Sequence, residues 1–320
     1  MNVPPALVLA AGLGTRARPL THVRAKAAFP VAGEPLIRRI LGYLHDAGIR
    51  DVIVNLHHLP STITGVVGDG SEAGVLVRYS WEPRLLGSAG GPCHALPLLE
   101  APTLLVVNGD TLTDVDLPAL TEAHARGGGL VTMAVIPNPA PERYGGVVVD
   151  DAGIVRGFTR RGASARSYHF IGAQVVDAGA FAALPDNVPD ESVGRVYPAL
   201  IASRPGSVRA FVSDAGFFDI GTPLEYLTTS LAIAARERRD EPLAGAGTRI
   251  AADALVTGSV LWDDVQVGSG ARLIRCIVGD GVVIPARARF ENCAIVRAGR
   301  DCQETGERIE DGLVIRPLQP

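Results

Sequence analysis

The last third of the chain carries one short spacing pattern repeated throughout, and this period constrains the fold more than any other feature. Ile250, Val256, Leu261, Val267, Leu273, Val278, Ile284, Phe290 and Ile295 follow one another at steps of 6, 5, 6, 6, 5, 6, 6 and 5. Every third position therefore recurs at a constant interval, as from Ile250 to Val267 to Ile284. Each is aliphatic or aromatic, and four residues after each stands a small or apolar residue: Ala254, Val260, Val265, Ala271, Ile277, Val282, Ala288, Ala294 and Gly299. A triangular coil with about six residues per side and one inward side chain per side produces this pattern. Such a coil buries its inner face only by stacking on the next one, so the segment predicts a short β-helix of about three coils.

The chain ahead of this repeat has another rhythm. Apolar or Val- and Ile-rich runs at 6–11, 51–56, 75–81, 103–107 and 130–136 read as strands, and stretches with a helical stripe or helical composition lie between them at 35–48, 60–67, 91–99 and 117–126. Asp116 stands where an N-cap belongs. This alternation predicts βαβ units, hence parallel strands covered by helices. After Asn138 the rhythm changes. Runs at 147–149 and 154–158 flank Asp151-Ala152-Gly153 and predict a hairpin; a strand is expected at 170–176 and helices at 193–203 and 223–239. This middle part reads as an insertion over the carboxyl edge of the sheet. The expected division is a domain at 1–240 and a β-helix domain at 241–320.

Composition limits the function classes. A chain of 320 residues with a formal net charge of −4 lacks the basic excess of a sequence-independent nucleic-acid binder. Cys93, Cys276, Cys293 and Cys302 form no CxxC pair and have no histidine at metal spacing, so reduced thiols are expected rather than a zinc site or disulfide framework. The apolar run at 6–11 is too short to span a bilayer and no basic segment precedes it. The expectation is a cytoplasmic protein with no membrane partner.

The loop after the first strand reads Gly12-Leu13-Gly14-Thr15-Arg16-Ala17-Arg18-Pro19-Leu20-Thr21. Its glycine spacing formally meets the dinucleotide fingerprint, but Pro19 falls where the following helix would need an N–H. The Gly-Lys-Ser/Thr ending of a Walker A loop is absent as well. A glycine turn carrying arginine suits a triphosphate: backbone N–H groups and the Arg16 guanidinium gather phosphate oxygens, and Lys26 adds a point charge ten residues later. Arg18 and Arg24 read as solvated surface.

These residues belong to a wider pattern. Leu9-Ala10-Ala11-Gly12-Leu13-Gly14-Thr15-Arg16, Arg18-Pro19-Leu20-Thr21, Lys26 with Phe29-Pro30-Val31, Leu86-Gly87-Ser88-Ala89-Gly90-Gly91, Val107-Asn108-Gly109-Asp110, Tyr144-Gly145 and Phe218-Asp219-Ile220-Gly221-Thr222-Pro223 follow one another over roughly residues 6–240. The chain thereby resembles the sugar-1-phosphate nucleotidyltransferases. It looks most like the mannose-1-phosphate guanylyltransferases, and its N-terminal half also resembles the N-acetylmuramate-1-phosphate uridylyltransferases. The resemblance implies an α/β fold, a Rossmann-like mixed sheet flanked by helices, followed by a short left-handed β-helix. It implies an enzyme that joins a nucleoside triphosphate to a sugar 1-phosphate and releases pyrophosphate. Leu9, Ala10, Ala11, Gly12, Gly14, Thr15 and Arg16 are expected to hold the triphosphate, with the base against Gly87, Ser88, Ala89 and Gly90. Arg16, Lys26 and Asp110 are the expected catalytic residues.

Asp110 ends an apolar strand, where open α/β sheets bind ligands, and Asp219 precedes a helix start made by Thr222 and Pro223. The resemblance assigns Mg²⁺ to this pair, and Mg²⁺ accepts a few carboxylates with phosphate oxygens and water completing its shell. On the sugar side the resemblance points to Tyr144 and Gly145. The family's Glu-Lys pair falls on Arg160 and Arg161; Arg161 keeps the cation that holds the sugar phosphate, whereas Arg160 loses the acceptor. That departure leaves the sugar open, with mannose and guanine favoured by resemblance. It also supports, as a rival, a regulatory relative that binds sugar nucleotide without turnover. A nicotinamide-dependent oxidoreductase rests on the glycine spacing alone. His57 and His58 are read as structural, the charged run at 236–241 as solvated, and the β-helix as a surface through which copies of the chain associate.

Overall fold

The computed structural model describes residues 3–299 and 306–319. Cys302, one of the four cysteines, lies outside the described residues. Two compact units emerge: Met1–Gly12, Ile40–Pro60 and Val67–Phe218 form the first, and Leu13–Arg39, Ser61–Val66 and Asp219–Pro320 the second.

The first unit is built on a nine-stranded mixed sheet. Ala6–Leu9 runs parallel to both Asp51–Leu56 and Thr103–Asn108, and Leu76–Trp81 pairs parallel to Asp51–Leu56. These strands lack strict alternation because helices cover the sheet. Leu7, Ile53, Leu104 and Val106 are buried in one core with Ala89, Ala95 and Leu99 of helix α3 (Gly87–Leu99). Helix α4 (Leu117–Gly127) starts as expected: Asp116 caps it by accepting from the Ala119 N–H at 2.8 Å, and Gly128 closes it in the left-handed region.

Three expectations need correction. The middle part is no separate insertion, because Tyr168–Asp177 pairs antiparallel with both Thr103–Asn108 and Val131–Pro137 and so continues the main sheet. The expected hairpin, Gly146–Val149 with Val155–Thr159, extends that sheet through the same strand. Helix α3 begins at Gly87 rather than Gly91, since the Asp190 carbonyl accepts the Ala89 N–H at 2.9 Å and the Gly90 N–H at 3.3 Å. That partner lies far along the chain and leaves no local signal. The helix expected at 193–203 divides into a π-turn, Ser192–Val196, and a short α-helix, Tyr197–Ser203.

The second unit carries the β-helix. Leu243, Val260, Ile277 and Ala294 pair in parallel succession, as do Arg249, Gln266 and Val283, and Leu255, Arg272 and Arg289. Every one of these pairings spans the same interval that the sequence repeats. All nine residues of the periodic set join one interior cluster. Val260, Ile277 and Ala294 face away from it, beside inward Leu261, Val278 and Ile295, because successive strand residues point oppositely. They are buried nonetheless. The open end is closed by Leu313–Pro317, antiparallel to Cys293–Arg297, and by Arg308–Glu310 beside it.

The loop after the first strand belongs to this unit. Trp262 is fully buried against Phe29 (ring centroids 5.0 Å apart) and donates through Nε1 to the Tyr226 hydroxyl at 2.9 Å. Tyr226 in turn donates to the Pro30 carbonyl at 2.6 Å. Arg24 is not solvated surface: Nε and Nη2 donate to Asp280 at 2.7 Å each, Nη2 also reaches Asp263, and the guanidinium lies 5.2 Å from the Trp262 ring centre. The two aspartates occupy equivalent places on successive coils, where the Asp263 N–H donates to Asp280 Oδ1 at 3.1 Å. The run at 236–241 is exposed throughout, as expected, and within it Glu237 accepts from Arg39 and Arg239. Cys276 and Cys293 are buried free thiols, their sulfurs 3.8 Å apart one coil from each other, and Cys93 is free as well. No helix among the described residues is long and apolar enough to cross a membrane.

Candidate active site

In the first unit, the strand Ala6–Leu9 delivers Leu9, Ala10, Ala11 and Gly12 at its carboxyl end. The neighbouring strand Thr103–Asn108 delivers Asp110. Gly109 donates its N–H to the Leu9 carbonyl at 2.9 Å, and a Cβ at Gly109 would lie 2.6 Å from that oxygen. Only glycine permits this approach, which sets Asp110 beside the end of the first strand. The Ala10 and Ala11 N–H groups donate to Asn55 Oδ1 at 2.6 and 3.2 Å. Their amides are thus directed into the protein.

Gly87, Ser88, Ala89 and Gly90 form the first turn of α3. A Cβ at Gly87 would come within 2.6 Å of the Asp190 carbonyl, and one at Gly90 within 2.5 Å of the Val188 carbonyl. The glycines therefore admit the chain's own segment at 188–191. Ser88 donates to Glu191 Oε2 at 2.7 Å and accepts from the Ser192 N–H at 2.9 Å.

The sugar-side candidates meet at one end of the hairpin. Gly146 pairs with Thr159, and its N–H donates to Thr159 Oγ1 at 3.1 Å; the Gly162 N–H donates to the Pro141 carbonyl at 2.7 Å. This places the turn with Tyr144 and Gly145 next to the exposed turn with Arg160 and Arg161. His169, which sequence reasoning missed, packs its ring 4.3 Å from Tyr144 and 4.7 Å from Phe217. Burial holds its imidazole down at about 4, against a smaller opposing effect of its hydrogen bond to the Gly145 backbone.

In the second unit, Thr15–Ala17 is a single 3₁₀ turn and the first α-helix begins at Leu36, so the glycine spacing opens no dinucleotide-binding helix. Gly14 takes φ +60°; a side chain there would strike Thr21 at 2.6 Å and meet the Lys26 Cβ at 3.6 Å. The turn at Gly14 therefore packs against Thr21 and against Lys26, which opens a separate 3₁₀ turn, Lys26–Ala28. A Cβ at Gly221 would lie 2.8 Å from Arg16 Nη2 and 2.7 Å from Glu225 Oε2. Arg16 thus rests against the backbone just beyond Asp219. Helix α6 (Pro223–Arg236) starts on the expected cap, the Glu225 N–H donating to Thr222 Oγ1 at 3.2 Å. Thr222 and Glu225 have the spacing of a capping box, the signal by which Glu225 was detectable.

Asp110 and Asp219 are hard oxygen donors, and no cluster of three or more His, Cys, Asp or Glu suited to a metal occurs among the described residues. Each carboxylate, Asp110 in the first unit and Asp219 in the second, is of the donor type that Mg²⁺ accepts, an ion that takes few protein ligands and completes its shell with phosphate and water. His57 Nδ1 lies 2.9 Å from the Glu82 carbonyl, in keeping with a structural role.

A nucleotidyl transferase family model matches residues 5–236, and a GlmU-like C-terminal hexapeptide model matches residues 237–294. The chain belongs to the nucleotidyl transferase family. Its resemblance to the sugar-1-phosphate nucleotidyltransferases is thereby confirmed, as is the α/β fold with a hexapeptide-type left-handed β-helix. Among relatives, a mannose-1-phosphate guanylyltransferase of Mycobacterium tuberculosis is 29% identical over 296 residues, covering 89% of this chain and 82% of that protein. An N-acetylmuramate alpha-1-phosphate uridylyltransferase of Neisseria meningitidis is 48% identical over 115 residues, covering 36% of this chain and 50% of that protein. The crystal structure of HddC from Yersinia pseudotuberculosis shares the fold, with a TM-score of 0.64 and 23% identity over 72% of this chain and 99% of that one.

Proposed function

We propose that this nucleotidyltransferase joins GTP to mannose 1-phosphate, giving the sugar nucleotide and pyrophosphate. The observation that carries the reading is the placement of Arg16 against Gly221, which joins the phosphate-loop cation to the Asp219 motif within one unit. The choice of guanine and mannose rests on similarity along nearly the whole chain to a mannose-1-phosphate guanylyltransferase. The 48% identity to an N-acetylmuramate alpha-1-phosphate uridylyltransferase is local, and it favours a second reading with UTP and that sugar.

The amides from Gly12 to Arg16 cradle the triphosphate, since those of Ala10 and Ala11 are taken by Asn55. The base lies along Gly87, Ser88, Ala89 and Gly90 on the side not occupied by residues 188–191. Arg16 and Lys26 neutralise charge on the phosphates, and Tyr144, Gly145 and Arg161 hold the sugar 1-phosphate. Asp110 and Asp219 would each offer a carboxylate to Mg²⁺, which when bound would supply Lewis-acid stabilisation of the phosphate charge. The attacking sugar phosphate oxygen is already an anion, so the residues need to align it in line with the α-phosphorus rather than deprotonate it. We assign this chemistry to residues 1–240 and the β-helix to 241–320, and place the protein in the cytoplasm as a homo-oligomer.

The test is a matrix of GTP, UTP, ATP and dTTP against mannose, glucose and N-acetylmuramate 1-phosphates, read by pyrophosphate release with and without Mg²⁺. The proposal predicts the highest kcat/KM for GTP with mannose 1-phosphate. UTP with N-acetylmuramate 1-phosphate as the best pair would install the second reading, and binding without release from any pair would favour the regulatory relative.

A further inference from the structure

Glu82 is 1% exposed, yet among the described residues no cationic side chain pairs with its carboxylate. A buried carboxylate persists only where hydrogen bonds satisfy it. Its two oxygens have different partners: Oε1 accepts from Asn55 Nδ2 at 2.7 Å, and Oε2 accepts from the Leu86 N–H at 2.8 Å. Asn55 is itself 3% exposed. Because an ionised carboxylate only accepts, the Asn55 NH₂ must face it, and the Asn55 oxygen must face the other way. On that side the Ala10 and Ala11 N–H groups donate to it at 2.6 and 3.2 Å. Gly91 of α3 closes over the relay; a Cβ there would lie 2.6 Å from Glu82 Oε1 and 2.9 Å from Asn55 Nδ2.

In this relay donation runs from Ala10 and Ala11 to Asn55 and from Asn55 to Glu82, and the Leu86 N–H donates to the same carboxylate from the other end. Its two ends, Ala10 with Ala11 and Leu86, directly precede the strips to which the proposed function assigns the triphosphate, Gly12 to Arg16, and the base, Gly87 to Gly90. We propose that Asn55 and Glu82 are positioning residues for the nucleoside triphosphate, holding these two strips in register with each other. The inference rests on the nucleotide-site reading above and adds two residues that touch no substrate.

Reversing the relay tests it. In Glu82→Gln an amide NH₂ opposes either Asn55 Nδ2 or the Leu86 N–H, and in Asn55→Asp two carboxylates face each other. Each single change breaks the chain. The double variant Asn55→Asp with Glu82→Gln restores it. The new carboxylate then accepts from Ala10, Ala11 and the introduced amide NH₂, and the introduced amide oxygen accepts from Leu86. Calorimetric binding of GTP and of UTP with Mg²⁺, alongside KM for each substrate, gives the readout. Each single variant is expected to weaken triphosphate binding about tenfold or more, as expected for a misdirected buried donor, with KM for the sugar 1-phosphate little changed. The double variant is expected to recover to within about threefold of wild type. Asn55→Asp is further expected to regain affinity as pH falls and the paired carboxylates share a proton.

Wild-type triphosphate affinity in both single variants would overturn the positioning role while leaving the nucleotide-site reading intact. So would equal losses for both substrates with no rescue in the double variant. A wild-type protein that binds no triphosphate would overturn the site reading and this inference with it. Should Glu82→Gln fail to fold, the double variant and the pH response of Asn55→Asp still decide the matter.

Discussion

Arg24→Ala is expected to loosen the phosphate loop from the β-helix that carries it. The guanidinium makes three charge-assisted bonds to Asp280 and Asp263 and lies over Trp262. Bonds to charged groups contribute about 1.5–3 kcal/mol each when shielded, and a partly desolvated cation–π contact about 1 kcal/mol. Solvent reduces the sum, since the Asp263 and Asp280 side chains are 42% and 30% exposed, whereas Arg24 is 13% exposed. A net loss of ~2 kcal/mol follows, which for a chain of 320 residues lowers Tm by about 3 °C. The assay is thermal unfolding of the full chain, with a double-mutant cycle of Arg24→Ala and Asp280→Asn expected to show coupling of about 1 kcal/mol. Because the same loop carries Gly14, Arg16 and Lys26, KM for the triphosphate should rise as well. A variant that unfolds within about 1 °C of wild type with unchanged KM would refute the anchoring argument.

Two titrations give further outcomes. His169 is held at about 4 by burial, below its ordinary 6.5, so the unfolded chain binds the extra proton first and stability falls as pH drops from about 6.5 to about 4. His169→Phe should flatten the pH dependence of Tm in that window; an unchanged slope would show that the imidazole is not excluded from charge. Glu237 is held down at about 2, chiefly by its hydrogen bond to Arg39, from an ordinary 4.5. Its contribution is complete above about 4.5 and is lost as pH falls toward 2, so Glu237→Gln should lower Tm by a degree or two at neutral pH and have no effect near pH 2.

The β-helix was legible because a single period, repeated through successive coils, dictates both strand positions and inward residues. The parallel strands were legible for a related reason: Thr103–Asn108 is apolar along most of its length because both faces are covered. What stayed hidden depends on partners distant in sequence. The start of α3 at Gly87 needs the Asp190 carbonyl, and the role of Glu82 appears only when Asn55, 27 residues away, is seen against it. Arg24 looked like solvated surface because its two aspartates lie 239 and 256 residues downstream. Within the candidate site, the glycine turn, Arg16 and the Asp219 motif stand out in the sequence, and their meeting appears only in the approach of Arg16 to Gly221. The reason for glycine at Gly87 and Gly90 was not, since it lies in the approach of residues 188–191.

Pyrophosphate release by Asp110→Asn and Asp219→Asn, measured across a range of Mg²⁺ with saturating GTP and mannose 1-phosphate, tests the central claim most directly. Each substitution keeps the side-chain shape and removes one anionic ligand, so turnover should fall by about 10²-fold or more while the unfolding temperature stays near wild type. Near-normal turnover in either variant, with an unaltered dependence on Mg²⁺, would contradict the assignment of the metal to these two carboxylates.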